Sequence, residues 1–283
     1  MPEMPEVETI RLGLKKKLIG QTIRSVNVRL AKLFFGQPET IVDQKVLEIE
    51  RRAKVLIWKL SKHYLLMHLK MTGQLIYVPK KGDGLVVGGH PEKGYTLDLP
   101  HKYTHVIFEL DQGTLYFNDL RKFGWIKVID TIEAIKPHVA TLGPEFDWPE
   151  FTLEYFIKKL AKRGRITIKQ ALLDQTILAG LGNIYADETL FCAKILPTRK
   201  VAELKPNEIE TIYMCIPKIL KDSLKHGGTS SQHYRQADGS MGTYLKVAKV
   251  YKREGLPCKI CQTPIVRIKI SGRSSHFCPN CQK

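Results

Sequence analysis

The 283-residue sequence predicts an α+β protein of two domains: a β-sandwich with a leading helix, then a helical domain ending in a cysteine-pinned β-hairpin. Three observations predict it. The first half carries short strand-like runs with turn signals between them, the texture of a sandwich or flattened barrel. After a Pro- and Gly-containing stretch at 136–149, the apolar spacing turns helical. Four of the six cysteines then fall within the last 26 residues.

Each element follows from local chemistry. Val7, Ile10, Leu14 and Leu18 recur at helical spacing and Gly20 closes the run. Acidic residues lead this helix and Lys15–Lys17 end it, as its dipole favours. Strands are expected at 22–30, 46–49, 55–60, 64–69, 74–78, 105–110, 114–117 and 125–129. The glycine-rich segment 79–100 is expected to be a long exposed loop between strands. Helices are expected at 153–162, 168–173, 183–193 and 206–226. The domains are placed at 1–135 and 151–245, joined by a linker at 136–150, with the cysteine-rich tail 246–283 as a finger. Cys192 and Cys215 fall in helical segments and read as small core residues.

Cys258-x2-Cys261 and Cys278-x2-Cys281 are two knuckles, each able to aim two thiolates at one ion. Together they predict one closed, tetrahedral structural zinc site. A tail this short buries little apolar surface, so metal binding supplies much of its folding energy. Between the knuckles, Ile265, Val266, Ile268 and Ile270 precede Ser271-Gly272-Arg273-Ser274-Ser275, a hairpin with a basic, small-residue tip.

Charge narrows the partner. Lys and Arg number 45 against 28 Asp and Glu, a formal net charge of +17. The basic residues are spread along the chain, which suits a polyanion gripped along a groove, most simply nucleic acid. No apolar run reaches the roughly 18 residues a membrane span needs. The acidic start lacks a signal-peptide h-region, which points to the cytoplasm.

Four separated stretches then come together: MPEMPEVET at the start, RRAK at 51–54, LLDQTILAGLGNIYADE at 172–188 and GRSSHFCPNCQ at 272–282. In this order they resemble the formamidopyrimidine-DNA glycosylase family of bacterial base-excision enzymes. The resemblance implies a helix-two-turns-helix region, a terminal zinc-finger β-hairpin and a monomer acting on duplex DNA near the nucleoid. The sister endonuclease VIII group, directed at oxidised pyrimidines, shares most of these motifs. The loop GGTSSQHYRQADGSMGTY at 227–244 and the Met4-Pro5 opening favour the oxidised-purine group, with Thr229 and Tyr244 in the base-binding loop. A non-catalytic binder of damaged DNA is the reading from another class, and intact Pro2, Glu3, Lys54 and Arg273 oppose it.

The resemblance also implies the chemistry. With Met1 removed, Pro2 is a secondary amine titrating near pH 8 that can attack the sugar C1′ of an everted nucleotide. Glu3 is the acid, Glu6 supports the site, and Glu8 is left as an ordinary acidic first-turn residue. Lys54, expected in a strand, donates a proton in β-elimination. Arg273 grips phosphate and serves δ-elimination. Asn183 meets phosphate at a helix N-terminus. Met71, Arg121 and Phe123 fill the hole left by the extruded base. Tyr103 and Arg165 are grouped with the DNA contacts. Two departures stand out: Lys70 where the family usually has Gly, and Tyr103 where it often has His.

Overall fold

A computed structural model describes residues 2–81, 99–229 and 242–283, together with the main chain of 86–89. The chain divides into two compact units, Met1–Ala140 with His226–Thr243, and Thr141–Lys225 with Tyr244–Lys283.

The first unit is the expected sandwich. Helix α1 (Met4–Leu18) leads into strands β1 (Ile23–Val28), β2 (Phe34–Phe35), β3 (Val46–Arg52), β4 (Val55–Leu60) and β5 (Tyr64–His68). Then follow β6 (Gly73–Pro79), β7 (Val86–Gly89), β8 (Thr104–Leu110), β9 (Gly113–Asp119) and β10 (Trp125–Ile129). Two five-stranded sheets result, ordered β1-β8-β9-β6-β7 and β2-β10-β5-β4-β3. Val7, Ile10, Leu14 and Leu18 pack into one core with Trp58, Leu75, Phe108 and Phe117 from both sheets. Each fully buried side chain of this size contributes about 1.5–3 kcal/mol, which binds the leading helix to the sandwich.

Two expectations are corrected here. The segment 79–100 is not all loop, because β7 forms within it and pairs antiparallel with β6. Lys54 is not in a strand: Arg52 pairs with Val55, so Ala53 and Lys54 form a two-residue hairpin turn. Ala53 takes φ +52° there, the left-handed region such a turn uses.

The second unit holds α3 (Leu153–Ala161), α4 (Ile168–Leu173), α5 (Asn183–Ala193), α6 (Pro206–Lys225) and α7 (Tyr244–Val247), then β11 (Val266–Ile270) and β12 (Arg273–Phe277). Thr152 and Thr167 cap α3 and α4 by accepting the N–H groups of Tyr155 and Gln170. A short helix, α2 (Lys136–Val139), occupies part of the expected linker, and the units divide after Ala140. The finger shares a unit with the helices, as expected of a helical domain that ends in the hairpin. Its Cys258, Ile265 and Cys278 cluster with Phe191 of α5 and with Val250.

Cys192 and Cys215 are not merely core residues. They form a disulfide between α5 and α6, with Cα atoms 6.0 Å apart, an ordinary separation for the bond. Among the described residues, no helix is long and apolar enough to cross a membrane.

Candidate active site and nucleic-acid interface

Pro2 and Glu3 are buried at the entrance to α1. Glu6, at the third helical position, accepts the Glu3 N–H on Oε2 at 2.8 Å. Its other oxygen accepts the N–H and hydroxyl of Thr229 at 2.7 and 2.9 Å. Gly228 has φ +77°, and a Cβ there lies 2.8 Å from Glu6 Oε1, so a side chain at 228 is excluded by both backbone and space. Glu6 thus joins the start of the chain to residues 228–229, the near end of the 227–244 loop. The rest of that loop, from 230 to 241, and Met1 lie outside the described residues.

Glu8 does more than acidify a helix turn. It holds Arg11 at 2.6 Å and Arg51 at 2.9 Å. Burial raises its carboxyl pKa, but the two guanidiniums outweigh it and hold the group below its usual range. Arg51 also donates to the Ala53 carbonyl at 3.0 Å. A chain of contacts therefore runs from α1 through Arg51 to the turn that carries buried Lys54.

His68 joins this corner although its sequence neighbours give no hint of it. It lies across from Val55 on the adjacent strand, and its ring packs at a tilt against Trp125, 5.7 Å between centroids. Burial, then the charges of Lys70 and Lys54, push its pKa down to about 3, so the imidazole is neutral. Nδ1 accepts the Lys70 N–H at 2.9 Å, which leaves Nε2 as the protonated donor. Lys70 takes the left-handed φ of +50° that glycine favours, despite its side chain.

The three expected wedge residues are exposed, and one buried carboxylate organises them. Asp119 accepts the N–H groups of Arg121 (3.1 Å), Phe123 (2.9 Å) and Gly124 (2.7 Å). It also accepts the Thr72 hydroxyl, and Thr72 follows Met71 in the chain. The Arg121 guanidinium lies 5.0 Å over the Phe123 ring. Asp119 reads in the sequence as a turn residue of NDLRKFG; only the fold reveals its contacts. Tyr103, half-buried, has its ring edge-on to His101 at 5.9 Å and accepts the Asp119 N–H on its carbonyl.

In the second unit a buried network holds the strand that begins with Arg273. Lys169 donates to Asp187 Oδ1 at 2.6 Å and to the Ser274 carbonyl at 2.8 Å. Asn183 donates to that same carbonyl at 2.9 Å. Asp187 also accepts the Ser275 hydroxyl and the His276 N–H. Arg273 itself is exposed and follows the tip, Ser271 and Gly272, where φ is +47° and +78°. The neighbouring Glu188 accepts the N–H groups of Lys249, Val250 and Tyr251. Burial raises its pKa and those three donations pull it back. Tyr244 is buried against Tyr185 at 5.4 Å, so in this conformation its ring faces protein. Arg165 lies exposed between α3 and α4.

The ligand atoms of Cys258, Cys261, Cys278 and Cys281 lie within 4.8 Å of one another. Sulfurs of Cys258 and Cys281 are 3.9 Å apart and those of Cys261 and Cys278 3.4 Å. Zn–S bonds of about 2.3 Å in a tetrahedron require S···S separations near 3.8 Å, so the set fits one structural zinc.

Known proteins share this sequence pattern and fold. A family model described as the formamidopyrimidine-DNA glycosylase N-terminal domain matches residues 1–126. The formamidopyrimidine-DNA glycosylase H2TH domain matches 142–235, and the zinc finger found in FPG and IleRS matches 255–283. The formamidopyrimidine-DNA glycosylase of Pelotomaculum thermopropionicum is 41% identical over 100% of this chain and 99% of its own. The solved Lactococcus lactis enzyme with abasic-site DNA superposes with a TM-score of 0.87 at 33% identity, covering 100% of both chains. A structure of MutM with DNA containing carbocyclic 8-oxo-G gives 0.85 at 32% identity, again over 100% of both chains. Fold and matches define a DNA glycosylase of base-excision repair. The chain belongs to the formamidopyrimidine-DNA glycosylase family.

Proposed function

We propose that this protein excises oxidised purines, 8-oxoguanine and formamidopyrimidines, from duplex DNA and then cuts the strand by β,δ-elimination. The observation that carries this reading is the buried Pro2-Glu3 pair, held at the entrance to α1 by the Glu3 N–H donation to Glu6. Pro2, freed of Met1, offers the sugar C1′ a secondary amine with a lone pair; an internal proline nitrogen, being an amide, cannot attack. Glu3 protonates the opening sugar, the base departs, and the C1′–N bond becomes an iminium. That electron sink acidifies the C2′ proton, so the 3′ phosphate leaves by β-elimination and the 5′ phosphate by δ-elimination. Lys54 and Arg273 serve these two steps, and Asn183 and Arg165 the phosphate backbone. Met71, Arg121 and Phe123 fill the vacated stack. Tyr103 is a further DNA contact, and Thr229 and Tyr244 belong to the loop that covers the base. The finger's zinc is structural, a scaffold for the Arg273 hairpin.

We assign residues 1–135 to the catalytic domain, 151–245 to the helix-two-turns-helix domain and 246–283 to the finger, with 136–150 as linker. The protein acts as a monomer in a bacterial cytoplasm, on the nucleoid. Oxidised pyrimidines are the second substrate class, because the wild-type Lactococcus lactis relative has been solved on oxidised-pyrimidine DNA at 33% identity and a TM-score of 0.86.

The test is borohydride trapping. Duplexes with 8-oxoguanine opposite cytosine, or with an oxidised pyrimidine, are incubated with the protein, whose N-terminus is checked by mass spectrometry. A covalent adduct with the purine duplex is expected, and it is lost when the N-terminal amine is blocked by acetylation or by retained Met1. Tight binding without any adduct overturns the lyase reading; an adduct with the pyrimidine duplex alone overturns the purine assignment.

A further inference from the structure

The Cys192–Cys215 bond lies in the helical unit, in chemistry that the proposed function does not use. Its two sulfurs stand in different surroundings. Cys215 is buried on α6, whereas Cys192, at the last turn of α5, is half-buried and lines a cavity of about 640 Å³. That volume falls in the range of small-molecule pockets, about 300–1,000 Å³. Lys194, Lys218 and Lys249, all exposed, line it, with Phe191, Ile219 and Ile260 as apolar wall. Glu188 also lines it, but its carboxylate is taken up by three backbone N–H donations. The zinc ligand Cys281 also lines the cavity, but a metal-bound thiolate is no electrophile. A small anion bearing a reactive sulfur thus finds positive charge at the wall and one disulfide sulfur, that of Cys192, to attack.

We propose that Cys192 and Cys215 are a reversible redox pair that exchanges, through Cys192, with an anionic low-molecular-weight thiol entering this cavity. In the reducing direction the small thiolate attacks Cys192 Sγ, the protein S–S bond breaks, and Cys215 leaves as a thiolate. A second small thiolate then attacks the small-molecule sulfur of the mixed disulfide. It releases Cys192 as a thiolate and a symmetrical disulfide that carries away the two oxidising equivalents. Oxidation runs the same steps backwards, with the small disulfide as oxidant. The state of the α5–α6 link therefore follows the surrounding thiol–disulfide balance. α5 is the helix that carries Asn183, Asp187 and Glu188, so the redox state acts on the element that holds the hairpin strand.

Glutathione is the anionic probe and cysteamine, whose reactive thiolate is net neutral, the control, both applied to the zinc-loaded full chain. After equilibration with oxidised glutathione, denaturation with chelator and alkylation labels four cysteines; after reduced glutathione it labels six. In Cys215→Ser, peptide mapping places glutathione on Cys192 and not on the zinc ligands. Combined Lys194→Ala and Lys218→Ala slows reduction by glutathione about three- to tenfold and leaves reduction by cysteamine unchanged, since steering acts on net charge. The proposal is overturned by six labelled cysteines at every glutathione ratio that leaves zinc bound. Glutathione found on the zinc cysteines, or equal slowing of both thiols in the lysine variant, also overturns it.

Discussion

Replacing Lys169 by methionine removes an ammonium from a site where it and Asp187 are both buried, with side chains 1% and 0% exposed. Methionine fills similar volume, so the change is mainly electrostatic. Removing one member of a buried pair costs about 3–5 kcal/mol, because the remaining charge keeps its desolvation without its partner. Asp187 retains the Ser275 hydroxyl and the His276 N–H, which places the cost at the low end, about 3 kcal/mol. The expected readout is hydrogen exchange at the β12 amides of the zinc-loaded protein. At 1.4 kcal/mol per factor of ten, protection falls about 100-fold. Adding Asp187→Asn removes the stranded charge and restores at least tenfold of that loss. Because β12 begins with Arg273, the fraction of strand breaks that proceed to δ-elimination also falls. Protection within threefold of wild type, or a double variant no better than the single, refutes the reasoning.

Asp119→Asn leaves one acceptor oxygen where three amides and a hydroxyl now converge, and each orphaned buried donor costs about 1–3 kcal/mol. Excision of an oxidised base should fall at least tenfold, while borohydride trapping on a ready-made abasic site falls much less. His68 gives a pH dependence with a definite sign. Its folded pKa, about 3, lies below the unfolded value near 6.5, so between these values the unfolded chain binds the extra proton. Stability is therefore full above pH 6.5 and declines as pH falls toward 3, by an amount on the order of 5 kcal/mol. Denaturation of His68→Asn at pH 7, 5.5 and 4 should show a flatter decline. Zinc removal by a chelator should abolish DNA binding and β12 protection together, and readdition should restore both; binding that survives complete zinc loss contradicts the assignment.

Much of this was readable before folding because its signals are local. The cysteine knuckles are fixed by spacing, α1 by its apolar period and acidic-to-basic gradient, and most strands by short apolar runs. What stayed hidden depends on partners far away in the chain. Lys169 and Asp187 look like solvated helix charges until Ser274, 105 residues from Lys169, closes over them. Glu8 looks like a helix-dipole residue until Arg51 arrives from β3. Nothing in RRAK marks the turn at Lys54: the left-handed residue is an alanine, not a glycine. Cys192 and Cys215 lie 23 residues apart on two helices, and only the packing of those helices brings them to bonding distance.

Two successive carboxylates leave helix α5 for different partners, Asp187 for β12 and Glu188 for the backbone at 249–251, while Asn183 at its first turn shares the Ser274 carbonyl with Lys169. Hydrogen bonds from Asn183 and to Asp187 thus tie residues 274–276 of the hairpin strand to this helix. The two side chains proposed to feel phosphate, Asn183 and Arg273, are mounted on one stiff part with shared degrees of freedom. A molecule gripping an irregular backbone with such a part engages or releases both contacts in a single step, and thermal noise in the loops does not detune one against the other.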